Sequence, residues 1–191
     1  KGVQTLSRFF STDVAEQVVS EHGQADLFIA TNTMHDIEDT HSVAAGVRTL
    51  LKPKGVMISE DPYLGDMIEI TSYDQIYAEH MYIWSIISLN NVFGSHGLEI
   101  FHIEPNRCHG GCMRYYLAHK GAYEASSDLL RQMAKEGDEL GLDRPETYVR
   151  FRRNCESSRA NLRIRSRTLW SPCCCKQGCE LMSCARSTTV T

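Results

Sequence analysis

The chain has 191 residues, 42% of them hydrophobic, with a formal net charge of −4. That is enough for one domain with a real core, or a domain plus a fragment, and it makes a soluble, cytoplasmic globular protein the expectation. No apolar run approaches the roughly 18 residues of a membrane span, and the start Lys1-Gly2-Val3-Gln4 has neither the apolar stretch of a signal peptide nor a Met, so a missing beginning is expected.

In chain order, Ser11-Thr12-Asp13 offers an N-cap for a helix running to about Val19 and ending near Gly23. Asp26 to Thr31 reads as a buried strand, with Asn32 to Asp36 in the loop beyond it. A helix starting at Thr40 or Ser42 has Val43, Ala44, Val47, Leu50 and Leu51 at helical spacing. Lys52-Pro53-Lys54-Gly55 reads as a turn, and Gly55 to Ser59 as a second buried strand. Two strands joined by a helix form a βαβ unit with parallel pairing.

The second strand runs into Glu60-Asp61-Pro62-Tyr63, and a strand pattern rarely continues through Pro. In an open α/β sheet, ligands sit beyond the carboxyl ends of the strands, so Glu60, Asp61 and Tyr63 fall where a site is expected. Ser72 to His80 reads as a helix carrying Tyr77, Glu79 and His80, a phenol, an acid and an imidazole able to move protons. A solvated loop leading into an amphipathic helix is the plain alternative. Ser85 to His96 reads as another helix, closed by Gly97. Leu98 to Glu104 and Met113 to Ala118, joined through Pro105 and His109-Gly110-Gly111, read as an antiparallel pair. Ser126 to Leu140 and Pro145 to about Leu162 read as helices.

Cys108, Cys112 and Cys155 are scattered and read as reduced thiols. Cys173, Cys174, Cys175, Cys179 and Cys184 crowd together at a spacing that matches no standard zinc pattern, so no metal is expected. The arginines between Arg144 and Arg159 suit a pyrophosphate or a solvated face, and no nucleic-acid motif accompanies them.

Several pieces together resemble one family. They are Phe9-Phe10-Ser11, Ala25-Asp26-Leu27 with Asn32, Glu60 to Asp66, Asp74 to His80, His109-Gly110-Gly111 with Arg114, and Tyr148 to Asn154. Their order and spacing resemble the S-adenosylmethionine-dependent sugar C-methyltransferases, which act on nucleotide-linked keto-deoxysugars. The resemblance implies an α/β fold: the later half of a Rossmann-like class I methyltransferase sheet with a closing antiparallel hairpin, followed by helices. It implies a partial methyltransferase domain over 1–120 and the helical start of a C-terminal domain over 121–162. Residues 163–191 are expected to be a disordered or mis-framed tail.

The resemblance also implies roles. His80 matches the base that removes the proton beside the sugar ketone, with Glu79 and Tyr77 in support. Asn32, Asp36, Tyr63, His109 and Arg114 fall to the substrate, and Asn32, Phe10 and Glu60 to the cofactor, S-adenosylmethionine. The implied partner is a small molecule, a nucleotide-linked keto-sugar, with no nucleic acid and no membrane. Three departures stand out. The family's four-cysteine zinc domain, glycine-rich loop and ribose-binding acid find no match. Asp36 stands where the family has a His, and His35 comes one place early. The resemblance also stops near Leu162. A non-catalytic fragment and a methyltransferase with another substrate remain as alternative readings.

The chain alone is expected to bind S-adenosylmethionine poorly, because no glycine turn lets backbone approach the ligand closely. Calorimetric titration checks this, and micromolar affinity would overturn it.

Overall fold

The structure, a computed structural model, describes residue 2 and residues 5–169. Of His109 and of residues 163–169 only the backbone is described. The elements are α1 (Thr12–His22), β1 (Ala25–Thr31), α2 (Thr40–Leu50), β2 (Leu51–Pro62), α3 (Leu64–Ile70), α4 (Ile86–Gly94), β3 (Leu98–Asn106), β4 (Cys112–His119), α5 (Ser127–Ala134) and α6 (Pro145–Leu169). Short 3₁₀ turns lie at Tyr73–Gln75 and Cys108–Gly110, and a π-helical turn at Lys135–Leu140 follows α5. The chain separates into two compact units, residues 1–149 and the part from Arg150 onward. In the second, Arg152 pairs with Glu156 one helical turn on, at 3.0 Å. Among the described residues, no helix is long and apolar enough to cross a membrane.

The first unit is built on a four-stranded sheet in the order β1-β2-β4-β3. β1 and β2 are parallel and joined by α2, while β2, β4 and β3 pair antiparallel. This is the expected α/β arrangement with its closing hairpin. Side chains satisfy free backbone donors at the helix starts: Ser11 accepts from Val14 N, Asp39 accepts from Ser42 N, and Ser85 and Ser88 cap α4 reciprocally. Helices α2 and α4 pack on each other, α2 also on β2 and α4 on β3. Val47, Leu51, Met57, Leu89, Phe93 and Leu117 fill the space between them and are fully or almost fully buried.

Two expectations are corrected in and around β2. The run Lys52 to Gly55 is no turn between elements, because β2 begins at Leu51. Ala25 pairs with Leu51 and Leu27 with Val56, so a two-residue step along β1 faces a five-residue step along β2. The extra residues bulge outward with Lys52, Pro53 and Lys54 exposed. Lys52 Nζ pairs with Asp26 at 2.7 Å across the bulge. At its other end β2 does not stop at Ser59. Glu60, Asp61 and Pro62 still pair with Arg114, Met113 and Cys112. Pro62 is tolerated because it is the last strand residue.

Ser72 to His80 is not a helix. The helix here is α3, a few residues earlier, and it ends on Thr71 in the left-handed region (φ 59). Short polar side chains then hold a different path. Ser72 Oγ donates to Asp74 at 2.8 Å, and Gln75 Nε2 donates to Ser72 Oγ at 3.0 Å. Such local bonds compete with helix formation. Helix α6 continues to Leu169, beyond the Leu162 and Arg163 boundary read from sequence. The rest of the expected tail lies outside the described residues.

A buried carboxylate ties the sheet to the helices that follow. Glu136, fully buried, accepts from Tyr63 Oη at 2.8 Å and caps α4 by accepting from Ile86 N at 2.8 Å and Ile87 N at 3.0 Å. Glu136→Ala is expected to lower unfolding free energy by about 2–3 kcal/mol, leaving two amides and a phenol without their acceptor. Burial pushes the Glu136 carboxyl above its ordinary value. A carboxyl raised on folding contributes stability that is present below the unfolded value and lost as pH rises through the folded one. The Ala substitution should therefore cost more near pH 4 than near pH 7, which urea titrations at both values would check.

Candidate active site

Parallel pairing brings the carboxyl ends of β1 and β2 together, with Thr31 opposite Glu60. Asn32 and Asp61 thus emerge side by side, where open α/β sheets bind ligands. Asn32 turns the chain in the left-handed region (φ 49) while its N–H donates to Glu60 O at 2.7 Å. Met34 is fully buried and draws the loop inward, leaving His35 only 4% exposed. Asp61, fully buried, meets it there. The Asp61 carboxylate accepts from His35 N at 3.3 Å, from His35 Nδ1 at 2.8 Å and from Ser59 Oγ at 2.5 Å. A carboxylate accepts, so Nδ1 of His35 carries a hydrogen. Nε2 lies 3.3 Å from Asp36 Oδ1.

The opposite wall comes from the turn after α3. Its backbone bond from His80 N to Tyr77 O, 3.1 Å, folds the two side chains together. Their rings lie 3.9 Å apart. His80 Nδ1 is 2.9 Å from Gln75 O. A carbonyl can only accept, so Nδ1 donates, and in the neutral ring Nε2 carries the lone pair. The His80 ring stands edge-on to His35, centroids 4.3 Å apart at 78°. Asn32, His35, Asp36, Pro62, Asp74, Gln75, Tyr77, Glu79 and His80 line a cavity of about 460 Å³.

Of the residues singled out from sequence, Asn32, Asp36, Tyr77, Glu79 and His80 share this cavity. Tyr63 does not. It is 1% exposed and its hydroxyl is taken by Glu136 and Gln132. Burial and the nearby Glu136 carboxylate push the phenol far above its ordinary value. Glu60 and Arg114 hold each other across β2 and β4, with Arg114 Nη2 2.7 Å from the carboxylate, and Glu60 also accepts from Asn106. Phe10 packs on Phe28, centroids 4.8 Å apart, beside the core. The His109 side chain lies outside the described residues. The glycines after it serve the fold: Gly111 (φ 126) donates to Cys108 O and accepts from Tyr63 N, and a Cβ there would collide with Asp66.

Sequence reasoning put His35 one place off the site and left Ser59 unmarked. It placed Asp61 at a strand end without its partner, and passed over Gln75. Gln75 is 7% exposed and its Oε1 has no hydrogen-bond partner among the described residues. The pattern offered one usable signal, a pair of acids directly after the strand run Gly55 to Ser59.

The C-methyltransferase C-terminal domain family matches residues 107–168. The C-methyltransferase NovU of Streptomyces niveus is 31% identical over 163 residues, 85% of this chain and 39% of that protein. The chain therefore spans well under half the length of the curated relative it matches. Among solved structures, a SAM-dependent methyltransferase from Anabaena variabilis aligns over 58% of this chain and 55% of its own, at 17% identity and a TM-score of 0.44. CalO1, a methyltransferase in calicheamicin biosynthesis, aligns over 50% and 30%, at 13% identity and a TM-score of 0.42.

Asp61→Ala is expected to lower unfolding free energy by about 2–3 kcal/mol, since it strips a buried, charge-assisted hydrogen-bond set. It should also release the His35 ring. Denaturant titration reads the first effect, and faster hydrogen exchange at the His35 amide reads the second.

Proposed function

We propose that this chain, which is similar to C-methyltransferases, supplies the base and one wall of the substrate cleft in an enzyme that methylates carbon. The methyl donor is S-adenosylmethionine and the acceptor a carbon beside a ketone on a nucleotide-linked deoxysugar. One observation carries the chemistry. His80 Nδ1 is committed to Gln75 O at 2.9 Å, which leaves the Nε2 lone pair for a proton.

Proton removal beside a ketone needs a neutral acceptor near pH 7, and imidazole is one. The proton passes from the carbon to His80 Nε2, and the C–H electron pair moves into the enolate. Gln75 O, already bonded to Nδ1–H, stabilises the positive ring that results. The Tyr77 ring at 3.9 Å covers one side of the imidazole. Asp36, exposed at the cavity edge, accepts from a sugar hydroxyl. The carbon nucleophile so formed is what methyl transfer requires, and walls that exclude water protect it.

S-adenosylmethionine, when bound, supplies a methyl group activated on a sulfonium. Of the three residues that the resemblance assigns to it, Asn32 fits, because it lines the cavity at the end of β1. Glu60 does not, being held by Arg114 and Asn106, nor does Phe10, packed on Phe28.

In the full-length enzyme, His80→Asn is expected to lower kcat by about 10²–10⁴-fold with little change in cofactor affinity. Solvent-hydrogen exchange at the sugar carbon, without cofactor, isolates the proton step. Exchange at the wild-type rate in the variant would transfer the base role to another residue.

A further inference from the structure

We propose that His35, Asp36 and His80 form a binding site for a divalent first-row cation of the zinc class. One ligand atom from each of the three residues lies within 4.8 Å of the others. His35 Nε2 and Asp36 Oδ1 are 3.3 Å apart. That is the edge expected of a tetrahedron with bonds of about 2.0–2.1 Å. The far nitrogen of each ring is anchored, His35 Nδ1 to the Asp61 carboxylate at 2.8 Å and His80 Nδ1 to Gln75 O at 2.9 Å. A carboxylate or a carbonyl behind each imidazole is the arrangement that orients histidine ligands and raises their basicity.

The hydrogens of both rings point away from the cavity. In the neutral rings, two nitrogen lone pairs and a carboxylate oxygen converge on it. A cation resolves that convergence. Two imidazoles and one carboxylate, without a thiolate, suit zinc, cobalt, nickel or ferrous iron over magnesium or calcium. His35 is 4% exposed and held to Asp61 at two points, its backbone N–H and Nδ1. Asp36 is exposed, and His80 sits on a turn, so these two can close the set. Three protein ligands leave a fourth position open to the cavity.

This site rests on the proposed function in one respect. A cation on His80 Nε2 takes the lone pair that proton removal needs, so metal occupancy and base catalysis exclude each other. Zinc should then inhibit the enzyme reversibly, and a chelator should restore it.

Cobalt titration of the untagged full chain, with its accessible cysteines alkylated, tests the site without any turnover. One equivalent should bind, with visible absorption and without the near-ultraviolet band of thiolate ligation. Asp36→Asn and His80→Asn should each weaken binding by about 100-fold or more, while Asp61→Asn, behind His35, should weaken it by about 10–100-fold. Asp36 is exposed, so its variant folds, and thermal melting without metal checks the other two. Absence of cobalt binding to the wild-type chain would overturn the proposal, as would binding unchanged in Asp36→Asn and His80→Asn. Metal binding in a chain whose His80 proves not to be the base would leave the site standing and the methyltransferase reading corrected.

Discussion

The site depends on one buried carboxylate. Asp61 sits at a strand position with no exposure, inside a ladder in which β2 is paired on both sides. Burying a charge there is costly unless it is hydrogen-bonded, and three donors converge on it: Ser59 Oγ, His35 N and His35 Nδ1. Two of the three come from one residue of the β1–α2 loop. Asp61 thus turns a loop end into a fixed part of the sheet and sets which nitrogen of His35 faces the cavity. A shift of β2 by one residue would point Asp61 to the other side and lose all of this.

Most of the scaffold was legible because its signals are local and periodic. The apolar spacing of Val43, Ala44 and Val47 gave α2, and Ser11 and Ser85 marked helix starts that the structure caps with those same side chains. Failures clustered where long-range pairing overrode local chemistry. Pro53 and Gly55 are turn residues by nature, yet β2 needs its ladder with β1 and absorbs them in a bulge. Pro62 reads as a strand stop, yet β4 holds Glu60 and Asp61 in the sheet. The stretch from Ser72 to His80 has helix-compatible residues, but Thr71 in the left-handed region ends the preceding helix, and Ser72, Asp74 and Gln75 bond to one another.

The site was legible as a list of residues and not as an arrangement. Tyr77, Glu79 and His80 do border one cavity with Asn32 and Asp36, though not from the expected helix over Ser72 to His80. A turn closed by His80 N and Tyr77 O brings the two rings together. Tyr63 belongs to the same stretch as Asp61 but faces the opposite way, into the Glu136 network. Alternation within a strand would put residues two apart on one side, but Tyr63 lies past the end of β2, at the start of α3, and nothing in the composition of Glu60-Asp61-Pro62-Tyr63 marks where the strand gives way to the helix.

Asp36 stands where the family that the sequence resembles has a His. An imidazole at that position could both donate and accept, while a carboxylate accepts only. The structure shows His35, one residue earlier, already fastened to Asp61, with its free nitrogen 3.3 Å from Asp36. The imidazole is therefore not lost from the cleft wall; it enters from the neighbouring position, buried against Asp61. Its partner across the gap is His80, edge-on at 4.3 Å. In this arrangement the ring that is buried has a carboxylate behind it. The His80 ring rests on a backbone carbonyl and a turn. The difference follows from their anchors, Asp61 inside the sheet and Gln75 in the turn after α3.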